Sequence, residues 1–162
     1  MREKVTVFGS CVVDLMSRAP HLPVPGETVR GGLFMEGPGG KGFNQGVAAH
    51  KAGADVAMVT KLGRDRMANI ALEAMDALGM PRDFLFFSES VGTGTALILV
   101  DENSSQNMII IVPGACATFN AEDIAIVKRR ILESAYLLLQ LEVNQDANEQ
   151  VAASLEHAQR IT

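Results

Sequence analysis

The sequence predicts an α/β fold. Short runs of β-branched and other apolar residues, typical of buried strands, alternate with longer segments whose apolar residues recur at helical spacing. This alternation is typical of proteins in which helices cover a largely parallel sheet. The predicted strands include residues 4–10, 56–62 and 136–141, and the predicted helices cover residues 43–52, 65–78, 120–134 and 146–159.

Several of these elements carry clear boundary signals. Gly53 and Gly79 follow the first two helices, where glycine commonly ends a helix, and Asn120 precedes the third as a helix cap. The last strand, Tyr136–Leu141, is apolar almost throughout, which predicts a fully buried strand.

Two further strands are predicted in the middle of the chain. Residues 92–100 and 108–112 are rich in β-branched and apolar residues, and a polar turn joins them. Residues 20–32 contain three prolines and three glycines and predict a loop that leads into a short extended piece.

Composition narrows the class of protein. A length of 162 residues suits one ordinary domain, and 48% hydrophobic with 20% charged residues is typical of a globular protein. The net charge of −5 argues against nucleic acid as a partner. The only two cysteines, Cys11 and Cys116, with no secretory leader, indicate a cytoplasmic protein, and no apolar stretch approaches the length that spans a membrane.

The most informative stretch runs from Gly37 to Gly53. Four of its first six residues are glycine, one is Lys41, and a predicted helix follows at once. Glycines let a ligand approach the main chain closely, and the N-terminus of a helix attracts hydroxyl or anionic groups. A glycine-rich hairpin end without a ligand is the alternative, but such a turn has no need of Lys41 and Asn44.

Two nucleotide-binding motifs fit this stretch poorly. A P-loop requires Gly-x4-Gly-Lys-Ser/Thr, but Gly42 follows Lys41 and Met35 occupies the first glycine position. Gly37-x-Gly39-x-x-Gly42 satisfies the dinucleotide pattern, which is weak alone, and no acidic residue ends the next strand.

The stretch instead resembles the first signature of the ribokinase-like (PfkB-type) carbohydrate kinases. The resemblance rests on Gly39-Gly40-Lys41-Gly42-x-Asn44-Gln45, the alanine-rich helix, and Lys61-Leu62-Gly63-Arg64-Asp65. It implies a three-layer α/β sandwich with a small β-lid, in which residues 1–162 form an incomplete N-terminal portion of one domain. The lid strands are expected near residues 27–37 and 92–112.

The resemblance also implies a sugar site. Its residues carry over by position: Asp14 and Glu142 as acceptors from sugar hydroxyls, and Gly40, Lys41 and Asn44 as further contacts. Val12, Ala96, Ile98 and Ile111 are candidate pocket or lid contacts, with ordinary sheet core as the alternative. One departure is Cys116, which replaces the asparagine of the family's Gly-Ala-Asn turn and puts that side chain's polar contact in doubt.

The activity implied is ATP-dependent phosphorylation of a pentose, ribose or 2-deoxyribose, to the 5-phosphate. The family's catalytic Gly-Ala-Gly-Asp motif does not occur in this sequence, so we expect no catalytic, cofactor-binding or metal-binding residue in it, and no phosphorylation by this chain alone. Sites for ATP, Mg²⁺ and a monovalent cation such as K⁺ are expected in a C-terminal half. The resemblance further implies a homodimer formed through the lid strands.

Two other functions stay open at this point. The chain can be a non-catalytic sugar-binding or regulatory module, or part of a kinase for a nucleoside or another sugar. Among pentoses, some ribokinases have asparagine two residues before the sugar-binding aspartate, where this chain has Val12. A pocket without that polar group loses its penalty against a deoxy-sugar, which favours acceptance of 2-deoxyribose.

Overall fold

The computed structural model describes residues 2–155. Eight strands and four α-helices are present in this range. In chain order they are β1 (Lys4–Phe8), β2 (Val12–Ala19), β3 (Leu33–Gly39), α1 (Lys41–Lys51), β4 (Asp55–Gly63), α2 (Arg66–Leu78), β5 (Leu85–Ser88), β6 (Gly94–Asp101), β7 (Asn107–Val112), a 3₁₀ helix (Gly114–Ala117), α3 (Ala121–Glu133), β8 (Tyr136–Leu139) and α4 (Gln145–Ala153).

Four strands form a parallel sheet in the order β5-β4-β1-β8. The central strands β1 and β4 are almost entirely buried, in keeping with their mainly apolar sequences. Successive side chains on these strands point to opposite faces, so each strand serves two separate cores.

The two cores make the domain three layers thick. On one face, Val7 and Met58 pack with Phe43 of α1 and Met75 of α2. On the other face, the buried cluster joins β1 and β4 to α3 and α4, through Phe8, Val59, Phe119, Val127 and Val151 among others. The expected α/β sandwich is confirmed.

The remaining strands form a mixed sheet in the order β3-β2-β6-β7. β2 pairs antiparallel with β3 and parallel with β6, and β6 pairs antiparallel with β7. Much of this sheet is exposed, including most of β3 and all six residues of β7.

The structure corrects the predicted strands in two places. Asp14 was expected in the segment that follows the first strand, but it lies inside β2, which the sequence did not predict. β5 was also missed, because four residues are too short for a periodic signal. The strand expected near 27–37 is β3 at Leu33–Gly39, and residues 27–32 lie outside any strand.

The last strand is shorter and more open than predicted. β8 ends at Leu139, Tyr136 is exposed, and Leu141 beyond it is 92% exposed. The reason is sheet order: β8 pairs only with β1 and forms an edge of the parallel sheet. The final helix ends at Ala153, and the predicted extension to residue 159 lies outside the described residues.

Helix α3 is fixed to the parallel sheet at both ends by ion pairs. Lys61 Nζ, almost fully buried at the end of β4, lies 2.7 Å from Asp123 in the first turn of α3. Arg130 in the last turn binds the carboxylate and the backbone oxygen of Asp55 at the start of β4. Asn120 forms a capping box with Asp123, as its position in the sequence predicted.

Within residues 2–155, no helix is both long enough and apolar enough to cross a lipid bilayer.

Candidate functional site

The site is built where the two sheets meet. The chain leaves β1 at Phe8, passes through Gly9, Ser10 and Cys11, and enters β2. The glycine run packs directly on this connection: a Cβ on Gly42 would lie 2.6 Å from the Ser10 nitrogen, and Gly40 takes a φ of 95°. Only glycines allow this close backbone contact, so the glycine run is required by the packing of α1 on the β1–β2 connection, whether or not it also contacts a ligand.

Glu142 joins three segments of the chain at this point. Its Oε2 accepts hydrogen bonds from Ser10 Oγ at 2.6 Å and from the Lys41 backbone N–H at 2.8 Å. Its Oε1 pairs with Lys41 Nζ. Lys41 is the first residue of α1, and Gly40 before it has no side chain to cap the helix, so the Glu142 carboxylate takes the place of a cap.

Asp14 lies on β2 opposite the same glycine run. A Cβ on Gly39 would come within 2.3 Å of both carboxylate oxygens of Asp14, so the absence of a side chain at Gly39 leaves room for the carboxylate. In residues 2–155 no donor hydrogen-bonds to this carboxylate. Asp14 therefore offers two free acceptors, in contrast to Glu142.

The two acids differ in their electrostatics. Burial, and then the nearby negative charge of Glu142, raise the pKa of Asp14 above its usual value. Burial alone would also raise the pKa of Glu142, but hydrogen bonds from Lys41 and Ser10 outweigh it, and the pKa is lowered. The charged form of Glu142 is satisfied by the protein, whereas the charged form of Asp14 has no hydrogen-bond donor among residues 2–155.

The other polar residues predicted for the site lie on the first turns of α1. The Lys41 side chain is 70% exposed although its ammonium pairs with Glu142. Asn44 is exposed, and its backbone N–H bonds to Gly40 at 3.0 Å. Ser10 was not predicted, because a single serine after a strand gives no signal until Glu142 is brought beside it.

The mixed sheet supplies an apolar face around Asp14. Gly37, Asp14, Ala96 and Ile111 lie in one row across the four strands, so they share a face of the sheet. Two positions along β2, Met16 lies in a second row on that face. The other members of this row are Met35, Ile98 and Ile109.

The four candidate pocket residues therefore all lie on the Asp14 face, but with different exposure. Val12 and Ala96 are buried, Ile98 is half-buried and Ile111 is exposed. The sequence missed Met16, Met35 and Ile109, because cross-strand register is needed to place them on the same face.

A hollow of about 290 Å³ lies elsewhere, lined by Asp55, Pro81, Phe84 and Arg130 among others. It is at the start of β4, whereas ligands of open α/β sheets bind beyond the carboxyl ends of the strands. Two of its three charged lining residues, Asp55 and Arg130, also form an ion pair with each other. We therefore place the candidate site at Asp14 and Glu142 and not at this hollow.

Comparison with known proteins gives one consistent result. The profile of the pfkB family carbohydrate kinases matches residues 2–162. The chain is 40% identical to mouse ribokinase over 144 residues, which cover 89% of this chain and 44% of that protein. It is 36% identical to the deoxyribokinase of Salmonella typhi over 139 residues, covering 86% of this chain and 45% of the relative.

Solved structures agree. The structure of Arabidopsis thaliana ribokinase complexed with ribose and ATP matches with a TM-score of 0.82 and 28% identity, covering 98% of this chain and 51% of that one. Ribokinase from Giardia lamblia matches with a TM-score of 0.85 and 26% identity, covering 99% and 50%. The chain thus spans about half the length of the relatives that it matches.

The raised pKa of Asp14 leads to a test by pH. An acid whose pKa is raised on folding favours the folded state only while protonated, and this advantage is lost as pH rises through the folded pKa. We expect Asp14→Asn to raise the Tm at pH 7 and the gain to shrink toward pH values below about 4, where free aspartate protonates.

Glu142→Gln is the matched control with the opposite sign. Because the pKa of Glu142 is lowered on folding, its carboxylate contributes stability above its unfolded pKa, and this is lost as pH falls through the folded pKa. This variant should unfold at a lower Tm at pH 7. A lower Tm for Asp14→Asn at pH 7 would contradict the assignment of Asp14 as an unsatisfied charge.

Proposed function

Because this chain belongs to the pfkB family of carbohydrate kinases, we propose that it carries the sugar-binding portion of an ATP-dependent pentose kinase. The acceptor is ribose or 2-deoxyribose, and the product is the 5-phosphate. One observation carries this proposal. An unsatisfied carboxylate, that of Asp14, lies near the Lys41–Glu142 ion pair beyond the carboxyl end of β1. Ribokinase and deoxyribokinase relatives at 40% and 36% identity support it.

The arrangement suits a polyhydroxylated ligand. A sugar hydroxyl both donates and accepts, so it can bridge Lys41 and Glu142, accepting from the ammonium and donating to the carboxylate. Asp14 accepts hydrogen bonds from one or two neighbouring hydroxyls of the sugar. These hydroxyls supply the donors that the described residues do not provide. Asn44, exposed on the same helix as Lys41, offers an amide to further sugar oxygens.

Phosphoryl transfer also requires ATP and a metal ion. No group of three or more His, Cys, Asp or Glu side chains in this range is arranged to hold a metal ion. We propose that the ATP, Mg²⁺ and K⁺ sites lie in the part of the kinase that this chain does not span, because the family's Gly-Ala-Gly-Asp motif does not occur in the sequence. ATP supplies the phosphoryl group in the complete kinase, and the two buried free thiols suit a cytoplasmic setting.

We also propose that the chain forms a homodimer through the mixed sheet. Large apolar side chains are exposed on both faces of this sheet, well beyond what an isolated surface residue explains. They include Phe34, Met35, Leu97, Leu99, Met108, Ile109, Ile110, Ile111 and Val112. β7 is also an open sheet edge, which pairing would cover.

Calorimetry tests the sugar site directly. Ribose or 2-deoxyribose should release heat on binding to the purified chain, Asp14→Ala should abolish it, and ATP should give none. Glu36→Gln is the matched control, since Glu36 is a carboxylate on the other face of the same sheet, opposite Leu15, and its loss should leave sugar binding unchanged. ATP binding would contradict the assignment of the nucleotide site to another part of the kinase, and absence of sugar heat would contradict a formed sugar site.

The choice between the two pentoses is tested at Val12. This side chain is apolar and 2% exposed, so it offers no polar partner for the sugar's 2-hydroxyl. We expect the chain to bind 2-deoxyribose at least as well as ribose. Val12→Asn should shift the ratio of the two Kd values toward ribose by about tenfold or more, because the new amide is left unpaired against the deoxy-sugar.

Val12→Ala is the control, since it changes the volume without adding a polar group. A strong preference for ribose in the wild-type chain, unchanged in Val12→Asn, would remove Val12 as a determinant of sugar choice.

Sedimentation tests the dimer. Ile110 on β7 is 66% exposed and Ile126 on α3 is 63% exposed, so they are matched in residue type and exposure. The wild-type chain should sediment as a dimer. Ile110→Lys should give a monomer, because a charge in an apolar interface has no partner there, and Ile126→Lys should leave the dimer intact. Dissociation by both variants, or by neither, would place the interface elsewhere.

A further inference from the structure

The thiol of Cys116 lies at the joint between the two sheets. Cys116 belongs to the 3₁₀ helix that follows the mixed sheet, and it is fully buried. It contacts Cys11, in the connection from β1 to β2, and Lys61, near the end of β4. One side chain therefore touches the segments through which both sheets are connected.

The surroundings of this thiol require more hydrogen bonds than a thiol can make. The Cys11 N–H donates to Cys116 Sγ at 3.3 Å, and two carbonyl oxygens, of Cys11 and Lys61, lie at 3.3 and 3.2 Å. A thiol has one hydrogen, so it accepts from the N–H but donates to only one of the two carbonyls at a time. A side-chain amide provides one acceptor oxygen and two N–H donors, so an asparagine at this position would match the Cys11 N–H and both carbonyls. The Thr60 hydroxyl, 3.8 Å from Sγ, could also donate to the amide oxygen, which has two lone pairs.

Reactivity does not explain this cysteine. Burial raises the pKa of Cys116 and of Cys11, so both stay protonated at neutral pH. The Cys116 thiol therefore keeps its hydrogen for donation, and no solvent-exposed thiolate exists for oxidation or metal binding. Its role in the fold is that of a hydrogen-bonding group.

We propose that Cys116 is a positioning residue for the sugar site, an inference that rests on the function proposed above. By accepting from the N–H of Cys11 and donating its single hydrogen to the carbonyl of Cys11 or of Lys61, its thiol fixes the direction in which β2 leaves the parallel sheet. Asp14 follows Cys11 by three residues on that strand. Cys116 thus sets where the free carboxylate points without touching the ligand, and it does so less firmly than an amide would.

Three variants of the full chain separate positioning from stability. Cys116→Ala removes the hydrogen bonds, Cys116→Asn supplies the full complement in a similar volume, and Ile131→Val is a buried control in α3, away from the joint. Tm is measured by thermal unfolding, and Kd for ribose and 2-deoxyribose by calorimetry well below each Tm.

We expect Cys116→Ala to weaken sugar binding roughly tenfold, because a displaced binding group loses affinity even when the fold persists. Cys116→Asn should bind at least as tightly as the wild type, with a Tm at or above the wild-type value. Ile131→Val should lower the Tm and leave Kd unchanged. Unchanged Kd in Cys116→Ala, or an equal loss in Cys116→Asn, would overturn the proposal.

Hydrogen exchange supplies a readout that needs no sugar. The amide of Cys11 should exchange faster in Cys116→Ala, and its protection should return in Cys116→Asn, with little change in Ile131→Val. If the wild-type chain binds no sugar, the proposed function fails, and this exchange pattern alone decides whether Cys116 holds the Cys11 peptide. Unchanged exchange at Cys11 would overturn that role whatever the sugar data show.

Discussion

The carboxylate of Glu142 holds together segments that lie far apart in the sequence. Ser10 and Glu142 are separated by 132 positions, and Lys41 and Glu142 by 101, yet both bonds converge on the same oxygen. Through them the end of β1, the N-terminus of α1 and the turn after β8 are joined at one point. The glycine run and Asp14 are packed around that point, so the geometry of the whole candidate site depends on this carboxylate.

The same arrangement divides two similar acids into different roles. Glu142 is satisfied by the protein and stabilises the fold in its charged form, whereas Asp14 is partly buried, unpaired and close to a second negative charge. A polar group that is left unsatisfied costs stability, and binding sites commonly carry such a cost because the ligand removes it. The proposed role of Asp14 in sugar binding and its unfavourable electrostatics in the free chain thus have one cause.

Small side chains govern the contact between the two sheets. Gly42 allows α1 to approach the β1–β2 connection, and Gly39 leaves space for the Asp14 carboxylate. Cys116 contacts the same connection through its thiol. Since the mixed sheet is attached to the domain through these short segments, we expect substitutions here to change the direction of β2 and hence the position of Asp14.

The sequence by itself determined the α/β class, all four α-helices of residues 2–155 and the family, because these depend on local patterns. Gly79 ends α2 in a left-handed backbone conformation, Asn120 caps α3 with its side chain, and the residues around Lys41 form a recognisable motif. It also identified Asp14 and Glu142, but only through resemblance to the family.

Only the tertiary structure decided which side chains are in contact and which strands pair. No local pattern indicated that Ser10 lies beside Glu142, that Met16 and Ile109 share the Asp14 face, or that β2 is a strand of the mixed sheet. It also predicted a fully buried last strand, whereas β8 is a sheet edge. Local patterns record the preference of each segment, but pairing, register and burial depend on neighbours brought from distant parts of the chain.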